Sequence, residues 1–354
     1  MPDRLSTLLR LVERTGELKF FRARSFNHEL FAKHFQQSRH GLGFTSLDDG
    51  VLRFGYRVPE EACLDGGTLP LSAIISLADD VTTWASIARD RAKRPGVSIS
   101  LEATLLRERP PSAGDELLFE ASVQKIGRTV GFLSCDVIDT ATGAPVARAQ
   151  HTKMLDMGRA WSAAFSAPLF PLTERVLSAL GTAADRPRYE PRGGGDASTL
   201  KRLLVLDGGR KAGDDPGRGQ PGDGDVSGAI ATAPNGSASG RVVCEEGHLQ
   251  EAHLMHGGAQ AMLHETIGRA GAGARADKSQ PLQLRAMRVL YYAGAQLGDT
   301  LELRATSTPA PWLGSGRAGG ILASTQLSRV PGTRGGGVRS EATLEYVVGG
   351  ENTR

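Results

Sequence analysis

The residues best suited to chemistry lie at positions 256–265, where His256, Gly257 and Gly258 precede an apolar run that contains Glu265. Two adjacent glycines form a turn that lets the backbone approach a ligand closely. The apolar residues that follow recur at helical spacing, so we expect the turn to open onto the N-terminus of a buried helix. Such an N-terminus presents unpaired N–H groups and a partial positive charge. It can therefore stabilise a carbonyl oxygen that becomes negatively charged during a reaction.

A second stretch with the same layout lies upstream, at residues 67–79. When Pro70 is placed on His256, the carboxylate of Asp79 falls on that of Glu265. In each copy the carboxylate stands seven residues past the third residue of the turn. The shared spacing predicts that both acids occupy equivalent positions on two similar helices.

The register between the two copies continues downstream. Alternating segments at 97–105 and 282–286 are each followed by a Gly-Asp pair, at 114–115 and 298–299. We interpret this as an internal duplication, so the fold should consist of two similar units.

Bulk composition excludes several classes of function. The 354 residues include 42 Lys+Arg and 39 Asp+Glu, and a net charge of +3 argues against nucleic-acid binding as the main activity. The three cysteines, Cys63, Cys135 and Cys244, lack metal-ligand spacing and indicate a reducing compartment. No apolar run approaches the length of a membrane span, and no secretory signal is visible.

These features predict a cytoplasmic protein. The arginine-rich N-terminal stretch leaves a mitochondrial or other organelle location open, but its acidic residues favour a surface amphipathic helix over residues 4–17.

The remaining pattern predicts four segments. Residues 1–26 are an N-terminal extension, 27–157 the first unit, 158–224 a flexible Gly/Pro-rich linker and 225–350 the second unit. Long helices are predicted at 69–89 and 256–272. Strands are predicted at 51–58, 97–107, 116–127, 129–139, 144–154, 241–244, 281–291, 300–308, 320–329 and 338–348, with a hairpin tip at 332–337. One long helix beside a run of antiparallel strands gives an α+β unit.

With these residues in hand, the chain resembles the hot-dog fold acyl-CoA thioesterases of the phenylacetate-pathway and 4-hydroxybenzoyl-CoA type, over 44–154 and 241–348. The family pattern is Gly-Thr-Leu-His-Gly-Gly, an acid seven residues past the last glycine, and then Gly-Val-Ser in the next strand. The matching positions are 67–69, Asp79 and 96–98 in the first unit, and 256–258 and Glu265 in the second. The resemblance implies a tandem, or double, hot-dog fold in which each antiparallel sheet wraps a long central helix.

The resemblance also implies that a site forms between units, with the turn from one and the acid and serine from the other. Asp79 and Ser98 of the first unit would then complete a site with Gly257 of the second. The Gly257 N–H would bind the thioester carbonyl. Asp79 would activate water or attack the carbonyl directly, and its apolar neighbours should make it a better base than in water.

The other members of this site have supporting roles in the same interpretation. Gln250 would orient the carbonyl or the attacking water, and Ser98 would hold the water or the carboxylate. His256 would orient the turn. Gly258 and Thr83 would contact the substrate. No metal or redox cofactor is implied, the partner is an acyl-CoA, and a homodimer remains open.

The opposite combination of residues predicts a degenerate second site. It would pair Glu265 with the turn formed by Pro70, Leu71 and Ser72. Pro70 lacks an N–H, although the Leu71 N–H remains available.

Several alternatives accompany these assignments. Asp79 and Asp80 are adjacent, so one of them could face solvent, and Ser98 could be purely structural. His256 could simply cap the helix. Two other functions are compatible with the sequence: a non-catalytic acyl-CoA-binding or scaffold protein, and an enoyl-CoA hydratase or dehydratase in which His256 supplies an Asp-His pair.

Overall fold

The structure analysed is a computed structural model of the chain. It describes residues 43–48, 50–64, 67–90, 94–156, 158, 230–244, 248–249, 254–276, 281–313, 319–330 and 337–348. The predicted N-terminal extension, nearly all of the Gly/Pro-rich segment, Gln250 and most of the predicted hairpin tip lie outside these residues.

Across the described residues, twelve strands form one antiparallel sheet. The strands are β1 (Gly43–Asp48), β2 (Val51–Arg57), β3 (Val97–Leu105), β4 (Glu116–Ile126), β5 (Val130–Asp139), β6 (Pro145–Met154), β7 (Ala231–Ala233), β8 (Ser237–Val243), β9 (Leu282–Tyr291), β10 (Thr300–Pro309), β11 (Gly320–Arg329) and β12 (Gly337–Val348). Their order across the sheet is β1-β2-β4-β5-β6-β3-β9-β12-β11-β10-β8-β7. Read inward from each edge, the two halves of the chain have the same strand order.

The two halves meet in the middle of the sheet. There β3 pairs with β9, from Ser100 opposite Leu290 to Thr104 opposite Ala286. The buried apolar side chains of both halves form one continuous core.

The first long helix, α1, spans Leu71–Arg89. It begins two residues later than predicted because Pro70 is extended and forms the N-cap. Ile74, Leu77 and Val81 are fully buried along its apolar stripe, and α1 packs on the strands of the first half. Trp84 packs against this core.

The second long helix, α2, spans Gly257–Arg275 and packs on the strands of the second half. It extends three residues beyond its predicted end. Met262 is buried in the core. None of the helices in the described ranges is both long enough and apolar enough to cross a membrane.

Helices α1 and α2 run antiparallel in direct contact. A Cβ atom on Gly258 would lie 2.3 Å from the Ser76 hydroxyl oxygen, so only glycine allows this approach. Because of this packing, the start of each helix lies beside the acidic residue of the other.

The predicted strands differ from the structure in three places. No strand is predicted at 43–48, where β1 pairs with β2 around a turn at Gly50, or at 231–233, where β7 pairs with β8. The Ser/Ala/Gly-rich segment before Arg241 forms most of β8. Its residues have low intrinsic strand preference, but pairing with β10 supplies the backbone hydrogen bonds that favour the strand.

Candidate active site

The carboxylate of Asp79 projects from α1 toward the other half of the chain, and the Asp79 side chain is 7 % exposed. Its Oδ1 accepts a hydrogen bond from the Ser98 hydroxyl at 3.1 Å. His151 Nε2 and Lys153 Nζ lie 3.4 Å and 3.7 Å from the same oxygen. Oδ1 is therefore surrounded by donors of the first half, whereas Oδ2 faces the second half.

The turn at the start of α2 faces Oδ2. A Cβ atom on Gly257 would lie only 3.0 Å from this oxygen. The structure therefore brings together the predicted acid and serine of the first half with the predicted turn of the second. Gly258 is buried beside Ser76, and Gln250 lies outside the described residues.

The side chain of His256 caps α2. Its Nδ1 accepts a hydrogen bond from the Gly258 backbone N–H at 2.9 Å. Because a backbone N–H can only donate, Nδ1 carries no proton and the proton of the neutral ring resides on Nε2. That nitrogen lies 3.5 Å from Asp80 Oδ1 and 3.8 Å from Asp79 Oδ2. The ring is therefore placed to orient the turn, as the sequence interpretation proposed.

The pKa of Asp79 reflects opposing influences. Burial raises it, but Lys153, His151, His256 and the Ser98 hydrogen bond lower it, and the pKa is about 2. The expectation that apolar neighbours make Asp79 a stronger base is wrong, because the surrounding positive charge and donors outweigh desolvation. Asp79 is ionised throughout the physiological pH range.

Sequence reasoning missed His151 and Lys153, which both lie on β6. Their side chains point to the inner face of the sheet and are almost completely buried. Burial, with a further contribution from Lys153, lowers the pKa of His151 to about 3, so the ring is neutral near pH 7. The available signal was alternation: both residues share the face of Ala147 and Ala149, which the strand pattern assigns to the core.

The hydroxyl of Thr83, predicted to contact substrate, has two partners within the protein. It donates to the Asp79 carbonyl oxygen at 2.6 Å and accepts from Lys153 Nζ at 2.6 Å. This arrangement places Thr83 as a support for the Lys153 ammonium. Asp80, the alternative acid, also faces His256 and its side chain is only 16 % exposed.

Comparison with known proteins identifies relatives. No family model matches the chain. Acyl-coenzyme A thioesterase 13 from Homo sapiens is 31 % identical over 124 residues, which are 35 % of this chain and 86 % of the relative. The protein of the same name from Pongo abelii gives the same values. The chain belongs to the hot-dog fold thioesterase family.

Solved structures extend the similarity in fold over most of the chain. The tesB protein of Mycobacterium avium subsp. paratuberculosis aligns with a TM-score of 0.53 at 13 % identity, covering 84 % of this chain and 93 % of that one. The 12:0-ACP thioesterase of Umbellularia californica aligns with a TM-score of 0.50 at 13 % identity, covering 87 % and 99 %. The antiparallel sheet with few helices is thus the hot-dog fold.

The second acid of this hot-dog protein has different surroundings from the first. Glu265 Oε2 accepts a hydrogen bond from the Ser72 backbone N–H at 2.9 Å, and Oε1 pairs with Arg269 at 2.7 Å. Ser72 is the counterpart of Gly258, so the Glu265 carboxylate caps the start of α1 in the way that the His256 ring caps the start of α2. Pro70 and Leu71, the rest of this turn, are buried.

His264 and Glu265 point in different directions, as expected for helix neighbours. The two ring nitrogens of His264 lie 2.8 Å from Thr325 Oγ1 and 2.9 Å from Ser340 Oγ, inside the second half. His264 is fully buried, and its pKa is lowered to about 3 by burial alone. It is a core histidine whose two polar atoms are satisfied.

Proposed function

We propose that the protein hydrolyses an acyl-CoA thioester at the site that joins Asp79 to the Gly257 turn. The observation that carries the proposal is this juxtaposition, because it places an ionised carboxylate beside the first N–H of a helix. The names of the relatives support the same substrate class: two are acyl-CoA thioesterases with substantial identity to this chain.

The Gly257 N–H is the proposed binding group for the thioester carbonyl. Gly257 is the first residue of α2, so its N–H has no acceptor within the helix. Among the described residues no side chain accepts from it either. Negative charge that develops on the carbonyl oxygen would be stabilised by this N–H and by the positive end of the helix.

Oδ2 is the proposed reacting oxygen of Asp79. Ser98, His151 and Lys153 surround Oδ1 and hold the carboxylate in one orientation. Oδ2 faces the turn, where the carbonyl carbon would lie. Gly258 helps to shape the turn, and Gln250 is proposed to orient the carbonyl or the water.

Two routes to hydrolysis fit this geometry. In the first, Asp79 accepts a proton from water, whose oxygen attacks the carbonyl carbon; the C–S bond breaks and the thiolate leaves with a proton. In the second, Oδ2 attacks directly, CoA leaves, and water then cleaves the resulting anhydride. Both need an ionised carboxylate, which the low pKa ensures. Label on Asp79 after a single turnover in heavy-oxygen water would identify the second route, with water attacking the aspartyl carbon of the anhydride.

We also infer that the halves are two hot-dog units in tandem. The first corresponds to residues 27–157 and the second to 225–350, joined by 158–224. The repeated strand order and the antiparallel pair α1–α2 support this arrangement. It makes one working site and one degenerate site, in which Glu265 is bound to the Ser72 N–H and to Arg269.

The test of the proposed function is a panel of acyl-CoAs incubated with purified protein and a thiol-trapping dye. We expect release of free CoA from at least one member, and loss of that release in Asp79→Asn with binding retained. Binding of acyl-CoA without thiol release by the unmodified protein would favour a non-catalytic role. Water addition to an enoyl-CoA without thiol release would favour a hydratase.

A further inference from the structure

Tyr291, the last residue of β9, reaches the turn that holds Gly257. Its hydroxyl donates a hydrogen bond to the Gly257 carbonyl oxygen at 3.1 Å. Its hydroxyl oxygen and ring carbon Cζ would each lie 3.4 Å from a Cβ atom on Gly257. Because β9 pairs with β3, the Tyr291 ring lies at the boundary between the two halves of the chain, next to the candidate site.

The glycine needs such a restraint. Gly257 has no side chain, so its backbone is free to adopt orientations that other residues exclude. The Gly257 carbonyl and the Gly258 N–H belong to the same planar peptide group. His256 accepts from the N–H of this group and Tyr291 donates to its carbonyl oxygen, so the two side chains hold it at both ends. Because this group is attached to the Gly257 Cα atom, holding it limits the backbone rotations that would redirect the Gly257 N–H.

The phenol is a dependable donor. Burial and the nearby charge of Asp79 raise the pKa of Tyr291 well above its ordinary value, so the phenol is protonated at neutral pH. Its hydroxyl contacts the Gly257 carbonyl, and the Asp79 carboxylate lies nearby.

We propose that Tyr291 is a positioning residue that fixes the Gly257 carbonyl and thereby aims the Gly257 N–H at the thioester carbonyl. The inference rests on the proposed function, since it assigns a purpose to the same N–H. It differs from a purely structural role because the hydroxyl acts on the reacting geometry and contributes little to the core.

Tyr291→Phe tests the proposal, because it removes one oxygen atom and keeps the ring. We expect kcat for acyl-CoA hydrolysis to fall about tenfold, with KM changed by less than about twofold. The unfolding temperature should be unchanged. Tyr292→Phe is the matched control: this neighbouring hydroxyl bonds to Glu341 on the surface, so its loss should leave kcat and KM unaltered.

Binding of two non-hydrolysable ligands distinguishes a positioning role of Tyr291 from a purely structural one. One is a CoA thioether, which lacks the carbonyl, and the other is a CoA ketone, which keeps it. Tyr291→Phe should weaken binding of the ketone about tenfold and leave binding of the thioether unchanged.

The outcomes separate this proposal from the one on which it rests. Unaltered kcat in Tyr291→Phe, with hydrolysis by the unmodified protein, overturns the role of Tyr291 alone. Equal weakening of both ligands also overturns it. Absence of hydrolysis by the unmodified protein overturns both.

Discussion

Replacing Lys153 with methionine removes the ammonium that lies next to Asp79 while keeping a side chain of similar length. Lys153 Nζ lies 3.7 Å from Asp79 Oδ1, and its side chain is 4 % exposed. Its charge lowers the pKa of Asp79 against the opposing effect of burial. Without that charge, desolvation is balanced only by His151, His256 and Ser98, so the pKa of Asp79 must rise.

The size of the change follows from the distance. Two unit charges 3.7 Å apart interact by about 4 kcal/mol at an effective dielectric constant of about 20, which corresponds to about three pKa units. The pKa of Asp79 should therefore move from about 2 to about 5. Asp79 acts as a carboxylate, so activity is present above its pKa and is lost as the pH falls through it.

The assay is the pH dependence of kcat/KM between about pH 8 and about pH 4, followed by loss of the ultraviolet absorbance of the thioester. The unmodified protein should show no decline due to Asp79 in this range. Lys153→Met should lose activity with a midpoint at about pH 5. Lys125→Met, an exposed change on β4, is the charge-matched control. Coincident profiles for Lys153→Met and the unmodified protein would refute the electrostatic account of Asp79.

Three further predictions concern single side chains. Gly257→Ala places a methyl group 3.0 Å from Asp79 Oδ2, so kcat measured by thioester absorbance should fall about 100-fold. Glu265→Gln removes the charge that pairs with Arg269 at 2.7 Å, so the free energy of unfolding in urea should fall by about 1 kcal/mol while kcat is unchanged. The pKa of His264 is lowered to about 3 by burial, so the unfolded chain gains a proton below about pH 6.5 that the folded chain does not. His264 should therefore contribute a fall in stability of roughly 1 kcal/mol per pH unit as the pH drops below that value. His151, whose pKa is also lowered to about 3, adds a contribution of the same sign, so urea titrations of His264→Gln should show a shallower dependence of stability on acid pH.

Each of these three predictions can be checked with a control variant or refuted by a specific outcome. Gly273 lies on α2 with open space around it, so Gly273→Ala should keep full activity. Equal losses in the two alanine variants would mean that the helix and not the site is responsible. Loss of kcat in Glu265→Gln would argue that the second position is active. If the free energy of unfolding of His264→Gln depends on acid pH as that of the unmodified protein does, groups other than His264 cause the loss of stability in acid.

The sequence is sufficient to predict the relation of Asp79 to Gly257 because the duplication is in register. Once the two copies are superposed, the acid of one and the turn of the other occupy equivalent places on paired helices. Burial of Asp79, the Ser98 contact and the capping role of His256 agree with that reasoning. Gln250 stays a prediction, since it lies outside the described residues.

The direction of the Asp79 pKa shift could not be predicted from the sequence. Burial alone predicts a raised pKa for Asp79, and the opposite direction depends on cations brought close by folding. Lys153 and His151 are distant from Asp79 in sequence, and they reach it only because β6 pairs with β3. Tyr291 reaches the site through the β3–β9 junction, which no local pattern encodes.

The central claim is that the acid of the first half and the turn of the second form the working site. The most direct measurement compares kcat/KM for acyl-CoA hydrolysis in Asp79→Asn and Glu265→Gln. We predict that Asp79→Asn loses activity by about 100- to 10,000-fold and that Glu265→Gln retains it. Retained activity in Asp79→Asn, or an equal loss in both variants, would contradict the claim.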